Sequence, residues 1–171
     1  LKGLGELYGN KIWCDKAEAI ADTVRKLSYN GEFFVDNQIY KDGVRVLSNE
    51  TTETCQYYAF FFNIATPDTY PDLWKKLITD FGPRRLQEGK FEKVWPSNAF
   101  IGNYLRLDIL LRYGIYEECY DQIIGYFSDM VNTTGTLWEH MGSGASCCHG
   151  FASYVAYLLY YSGRKEQPKY N

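Results

Sequence analysis

The chain has 171 residues, with 18 Lys and Arg against 21 Asp and Glu, a net charge of −3 and a pI near 5.4. That length supports one core in a single domain over residues 1–171, and the mildly acidic balance excludes a generic nucleic-acid binder, which needs a basic field. No run reaches the roughly 18 uncharged apolar residues of a membrane helix, and no basic-then-apolar leader opens the chain at Leu1.

In chain order, Ala17, Ile20, Val24 and Leu27 follow the i, i+3, i+7 spacing of an amphipathic helix. The stretches GEFFVDN and GVRVLSN can pair as a short hairpin or remain loop, and there is no sustained β-alternation. QYYAFFFNIA, from Gln56, is apolar almost all round, and a helix of that kind must be surrounded by protein. Leu73, Trp74, Leu77, Ile78 and Phe81 return to the one-faced pattern, with Pro71 suited to the first turn. AFIGNYLRLDILLRYG from Ala99 is again apolar on all sides. Ile115, Cys119, Ile123, Phe127 and Met130 then mark a further amphipathic helix, and HGFASYVAYLLYYSG from His149 an apolar one.

Thr51 or Thr52, Ser97 or Asn98, and Ser146 are the expected N-caps of the apolar helices, with Gly114 and Gly163 near the ends of their own helices. The caps recur roughly 45–50 residues apart, the period of a helix-pair repeat. The expected fold class is therefore all-α: about six helices in three inner/outer pairs, part of an α/α toroid. In such a toroid the loops leading into inner helices gather at one mouth. Here they carry Phe34, Asp36 and Asn37, then Glu53, then Trp95, Ser97 and Asn98, then Trp138, Glu139 and His149.

The 16 Tyr, 10 Phe and 4 Trp supply rings that suit a packed core and also suit stacking on the apolar faces of sugars. The five cysteines, Cys14, Cys55, Cys119, Cys147 and Cys148, include no zinc-like CxxC pair and support neither a disulfide framework nor a metal site. Cys147, Cys148 and His149 are adjacent, so on a helix they point about 100° apart and cannot converge on one ion. The same geometry disfavours a Cys–His nucleophile. Glu139, beside Trp138, is the better candidate for chemistry, because sugar hydrolysis needs carboxyl groups and a neighbouring ring can tune one of them. Trp138, His149, Trp95, Asn98 and Asp36 are the candidate substrate contacts. A solvated loop glutamate, a capping or core histidine, packed indoles and an ordinary turn are the structural alternatives for these positions.

GTLWEHM followed by SCCHGFASYVAYLLYY resembles the late catalytic-loop region of bacterial α-L-rhamnosidases, family 78 of the glycoside hydrolases. GEFFVDN, TETCQYYAFFF and PSNAFIGNYLRLDILLRYGIYEECYDQI look like preceding helix pairs of the same (α/α)6 barrel. The resemblance implies an inverting hydrolysis that releases terminal α-L-rhamnose without a cofactor, with Glu139 as general base, His149 on the sugar and Trp138 helping to form the pocket. Cys148 stands where the family commonly has Asn. The family's acidic, Arg-containing motif for the general acid has no counterpart here, and a barrel of twelve helices needs about twice the six counted. The chain is thus expected to be the C-terminal half of the catalytic domain, silent alone and prone to self-association. The sequence leaves the compartment open, with a bacterial periplasmic or secreted setting favoured over a cytoplasmic one. Two other readings stay open: an α/α-toroid enzyme on uronic-acid sugars, with Arg84, Arg85 or Arg106 on the substrate carboxylate, and a non-enzymatic helical-repeat module that binds a peptide or glycan.

Overall fold

A computed structural model describes residues 1–85, 87–142 and 144–167. The fold is mostly helical. Seven α-helices lie among the described residues: α1 (Lys2–Leu7), α2 (Lys11–Ser28), α3 (Glu53–Phe61), α4 (Pro71–Thr79), α5 (Gly102–Arg112), α6 (Tyr116–Thr134) and α7 (Tyr154–Arg164), the last entered through a 3-10 turn over Gly150–Ser153. The expected count of six omitted α1, which packs on α2. The all-α class also needs correction, because two small sheets are present.

The first sheet is an antiparallel hairpin of β1 (Gln38–Lys41) and β2 (Val44–Leu47). Its turn is Asp42-Gly43, both at positive φ (52° and 79°), the conformation that a two-residue hairpin requires. GEFFVDN is not its first strand, for a physical reason: the Phe34 amide and carbonyl are both taken by the buried Gln56 side chain, at 2.9 and 2.8 Å. The second sheet is a parallel pair, β3 (Thr51–Thr52) with β4 (Val94–Trp95), which sets the lead-in of α3 beside that of α5.

Helix α5 organises the interior. Nine of its eleven residues are buried. Leu105 and Ile109 join the core built with α3 and α4, including Tyr57, Phe60, Leu73 and Leu77. Leu107, Leu110 and Leu111 join a second core with Cys119, Ile123, Phe127 and Met130 of α6 and Val155 and Leu158 of α7. The predicted seams of α4 and α6 are therefore the observed ones. That of α2 is displaced: Cys14, Ala17, Ala21, Val24, Arg25 and Ser28 are half-buried, whereas Ile20 and Leu27 are exposed. Arg25 fixes this rotation by donating from Nε to the Ile64 carbonyl at 2.7 Å. The apolar helices are also less covered than expected, with Tyr58 and Phe62 at the α3 end and Tyr160 on α7 exposed.

Thr52 and Asn98 cap as expected: Thr52 Oγ1 accepts from the Cys55 amide, and Asn98 Oδ1 accepts from the amides of Ile101 and Gly102. Ser146 does not, because its hydroxyl donates to the Cys148 carbonyl and the helix begins beyond it. Gly163 lies within α7, and Lys165 takes the left-handed C-cap at φ 55°.

Gly102 marks the tightest approach near the candidate loops. A Cβ there would lie 2.3 Å from Ser97 Cβ and 2.7 Å from Thr54 Oγ1. Gly102→Ala is expected to destabilise the fold by about 1–3 kcal/mol through overpacking. Urea denaturation measures it, and an unchanged midpoint would contradict the packing described.

Candidate functional site

Glu53, the first residue of α3, is 2% exposed, and every polar neighbour donates to it. Arg85 Nε forms an ion pair with Oε1, while the Tyr57 hydroxyl and the Ser97 amide donate to Oε2 at 3.1 and 3.2 Å. The rest of the Arg85 guanidinium holds backbone: Nη1 donates to the carbonyls of Lys90 and Phe91 at 2.8 and 2.7 Å, and Nη2 to that of Val94 at 2.6 Å. One buried pair therefore knits the head of α3 to the connection that runs from Arg85 through β4 to Ser97. Arg106 is likewise committed. Its Nε donates to Gln122 Oε1 at 2.9 Å, and its Nη atoms reach the Leu77 and Ile78 carbonyls at the end of α4, where a cation meets the negative pole of the helix dipole.

The lead-in segments of α3, α5 and α7 are joined in a row. Beyond the β3–β4 pairing, the Ala99 amide donates to the Glu139 carbonyl, the Glu139 amide to the Ser146 carbonyl, and the His149 amide to the Leu137 carbonyl, each at 2.9 Å. Trp95, Asn98, Trp138, Glu139 and His149 lie on this row and Asp36 lies beside it, but their side chains have different occupations. Glu139 is held by its backbone on both sides, its side chain is 33% exposed, and Oε1 lies 3.8 Å from His140 Nε2. Trp138 is a core residue: it is buried against α6, and its indole N–H donates to Thr134 Oγ1 at 2.7 Å. Its ring thus braces the Glu139 segment from beneath instead of walling an open pocket. His149 lies against Phe100, ring centroids 4.3 Å apart. Trp95 is 66% exposed on β4. Asn98 spends its carbonyl oxygen on the α5 cap, and Asp36 accepts from Thr52 Oγ1 at 2.9 Å.

Beside this row is a cavity of about 200 Å³ whose lining includes Glu53, Ser97, Asn103, Tyr126, His140 and Met141. Glu139 is not part of that lining, but its neighbour His140 is. A larger hollow, about 560 Å³, lies at the start of α6 among Glu117, Glu118, Asp121 and Lys165, apart from the loop row. Burial, with a contribution from the Glu53 charge, pushes the Tyr126 phenol up to about 12, so it keeps its proton at neutral pH. Burial also raises the thiols of Cys55, where Asp36 adds to the effect, and Cys119 to about 12, which leaves both as unreactive thiols. Among the described residues no three His, Cys, Asp or Glu side chains group as a metal site.

Asn103, Arg106 and Asp108 were visible in the sequence as polar residues inside an all-apolar helix, a pattern that marks buried groups with specific partners. Nothing local in the sequence pairs Glu53 with Arg85, which are brought together only by the fold. The chain matches no protein-family model, no curated protein and no solved structure.

Removing either member of the buried pair strands the other charge. Arg85→Ala and Glu53→Ala are each expected to cost about 3–5 kcal/mol in urea denaturation, with the double variant costing less than the two together; a cost under about 1 kcal/mol for Arg85→Ala would contradict the keystone role. The cysteines allow a second check. With a thiol reagent at neutral pH, exposed Cys148 should be modified first, half-buried Cys55 more slowly, and buried Cys119 only on unfolding. The unfolded chain releases these two protons near the ordinary value of 9.0 and the folded chain near 12, so stability should fall as pH rises through that window. A flat alkaline profile in reducing buffer would count against their burial.

Proposed function

We propose that this chain forms part of the catalytic α/α toroid of an inverting, α-L-rhamnosidase-like glycoside hydrolase, with Glu139 as the general base. The observation that carries the reading is the way Glu139 is held. Its backbone is pinned to Ala99 and Ser146 and braced by buried Trp138, while its carboxylate is partly open to solvent beside the aligned lead-ins of α3, α5 and α7. A base in an inverting mechanism must hold still and yet meet a water molecule, which it deprotonates as that water attacks the anomeric carbon. His149 and exposed Trp95, on the same row, are suited to contact a sugar ring.

The proton donor for the leaving oxygen is a separate carboxyl. Glu53 does not suit that role, because all its partners donate to it and its charge is matched by Arg85. In this reading the acid comes from polypeptide beyond these 171 residues. The uronic-acid alternative loses two of its three cations, since Arg85 and Arg106 are committed to protein acceptors.

In the full-length protein, Glu139→Gln should lower turnover of an aryl α-L-rhamnoside by about 10²–10⁴-fold, the usual contribution of a general base, with thermal stability unchanged. Undiminished turnover would reject Glu139 as the base, and a preference for aryl uronides over rhamnosides would reject the sugar class.

A further inference from the structure

Cys147 and Cys148 carry chemistry that the proposed hydrolysis does not use. All five cysteines are free thiols, but they are not equivalent. Burial pushes the Cys55 and Cys119 thiols up to about 12, and half-buried Cys14 sits against α1, its Sγ 3.9 Å from the Lys2 carbonyl. Cys148 is exposed and Cys147 half-buried, so a thiol-reactive molecule reaches this adjacent pair most readily.

The backbone around the pair is also where the Glu139 segment is tied down. The Ser146 carbonyl accepts from the Glu139 amide, and the His149 amide donates to the Leu137 carbonyl, each at 2.9 Å. Between these two points the Cys147 carbonyl accepts from Thr136 Oγ1, and the Cys148 carbonyl accepts from Ser146 Oγ at 3.2 Å. The Thr136 hydroxyl lies 2.7 Å from Thr134 Oγ1, which accepts the Trp138 indole N–H at 2.7 Å. A short chain of hydrogen bonds therefore runs from the peptide between the two cysteines to the ring that braces Glu139.

Adjacent thiols can oxidise to a single disulfide, and covalent geometry sets what that does here. Neighbouring Cα atoms are about 3.8 Å apart across a trans peptide, against roughly 4.4–6.8 Å in ordinary disulfides. The bridge closes only if the Cys147–Cys148 peptide and its flanking dihedrals turn, and the carbonyl of that peptide is the acceptor for Thr136. The same misfit makes such a bridge easy to reduce, so the change is reversible.

We propose that Cys147 and Cys148 form a thiol–disulfide exchange site, oxidised by a small-molecule disulfide, whose closure frees the Glu139 segment. The Cys148 thiolate attacks one sulfur of the small disulfide, whose S–S bond breaks and expels a thiolate. Cys147, as its thiolate, then attacks the Cys148 sulfur of the mixed disulfide and expels the second. The protein gives up two electrons and two protons, and the small disulfide takes up both and leaves as two thiols. The exchange stands on the pair itself, whereas its effect on catalysis rests on the glycosidase reading.

The test treats the full-length protein with glutathione disulfide, quenches with acid and maps the peptide spanning Cys147 and Cys148 by mass spectrometry. That peptide should lose two hydrogens and carry no glutathione, a thiol reductant should restore it, and Cys147→Ser should retain one glutathione on Cys148. A stable glutathione adduct on Cys148 of the unsubstituted protein, a bridge from Cys148 to any other cysteine, or no reaction overturns the site. Amide hydrogen exchange reads the consequence: the Glu139 and His149 amides should exchange about tenfold or more faster in the oxidised protein, and rates within about twofold of the reduced protein overturn the release of the segment. Turnover of an aryl α-L-rhamnoside should fall on oxidation and return on reduction. Faster amide exchange with unchanged turnover upholds the site and counts only against Glu139 as the base.

Discussion

The Glu53–Arg85 pair is the constraint on which the loop architecture depends. Two charges with almost no exposure carry a large desolvation cost, and the arrangement is tolerable because nearly every polar atom of both groups is used. Glu53 accepts from three donors, and Arg85 grips three carbonyls in addition to the carboxylate. The consequence is geometric. The connection between α4 and α5, which has little regular structure of its own, is held against the start of α3, and β4 is thereby presented to β3 in a parallel register that two residues could hardly maintain alone.

Helix α5 extends the same logic into the core. Its two apolar faces each complete a cluster, so it separates and joins the α3–α4 and α6–α7 halves. Its charged residues Arg106 and Asp108 are deep in the protein, and each is matched. Arg106 closes the carbonyl end of α4, and Asp108 anchors Arg112 and Tyr154. Such groups add little net stability compared with leucines, but they penalise any other register of the helix, because a slip would leave them without partners.

Around Glu139 the division of labour is similar. The indole of Trp138 is hidden and its N–H is used internally, while the adjacent carboxylate remains accessible. A buried ring next to a partly open charged group is a means of fixing a loop, since the ring's packing resists rotation of the segment and the two backbone hydrogen bonds of Glu139 set its direction. Cys147 and Cys148, adjacent in sequence, instead lie in the return of that loop, with the Cys147 carbonyl accepting from Thr136 Oγ1.

By itself the sequence determined the helical character, the seams of α4 and α6, the Thr52 and Asn98 caps and the gathering of candidate residues into lead-in loops. These follow from periodicity and from side chains that act within a few residues of their own position. It misjudged α2, where Arg25 reaches Ile64 and rotates the helix, and the N-terminal side of the hairpin, where Gln56 occupies the Phe34 backbone. Only the tertiary structure decided that Glu53 meets Arg85 and that Trp138 faces inward. Those outcomes depend on burial and on partners 32 to 44 residues apart, as Arg85 and Ser97 are from Glu53, and no local pattern encodes which distant donor will reach a given carboxylate.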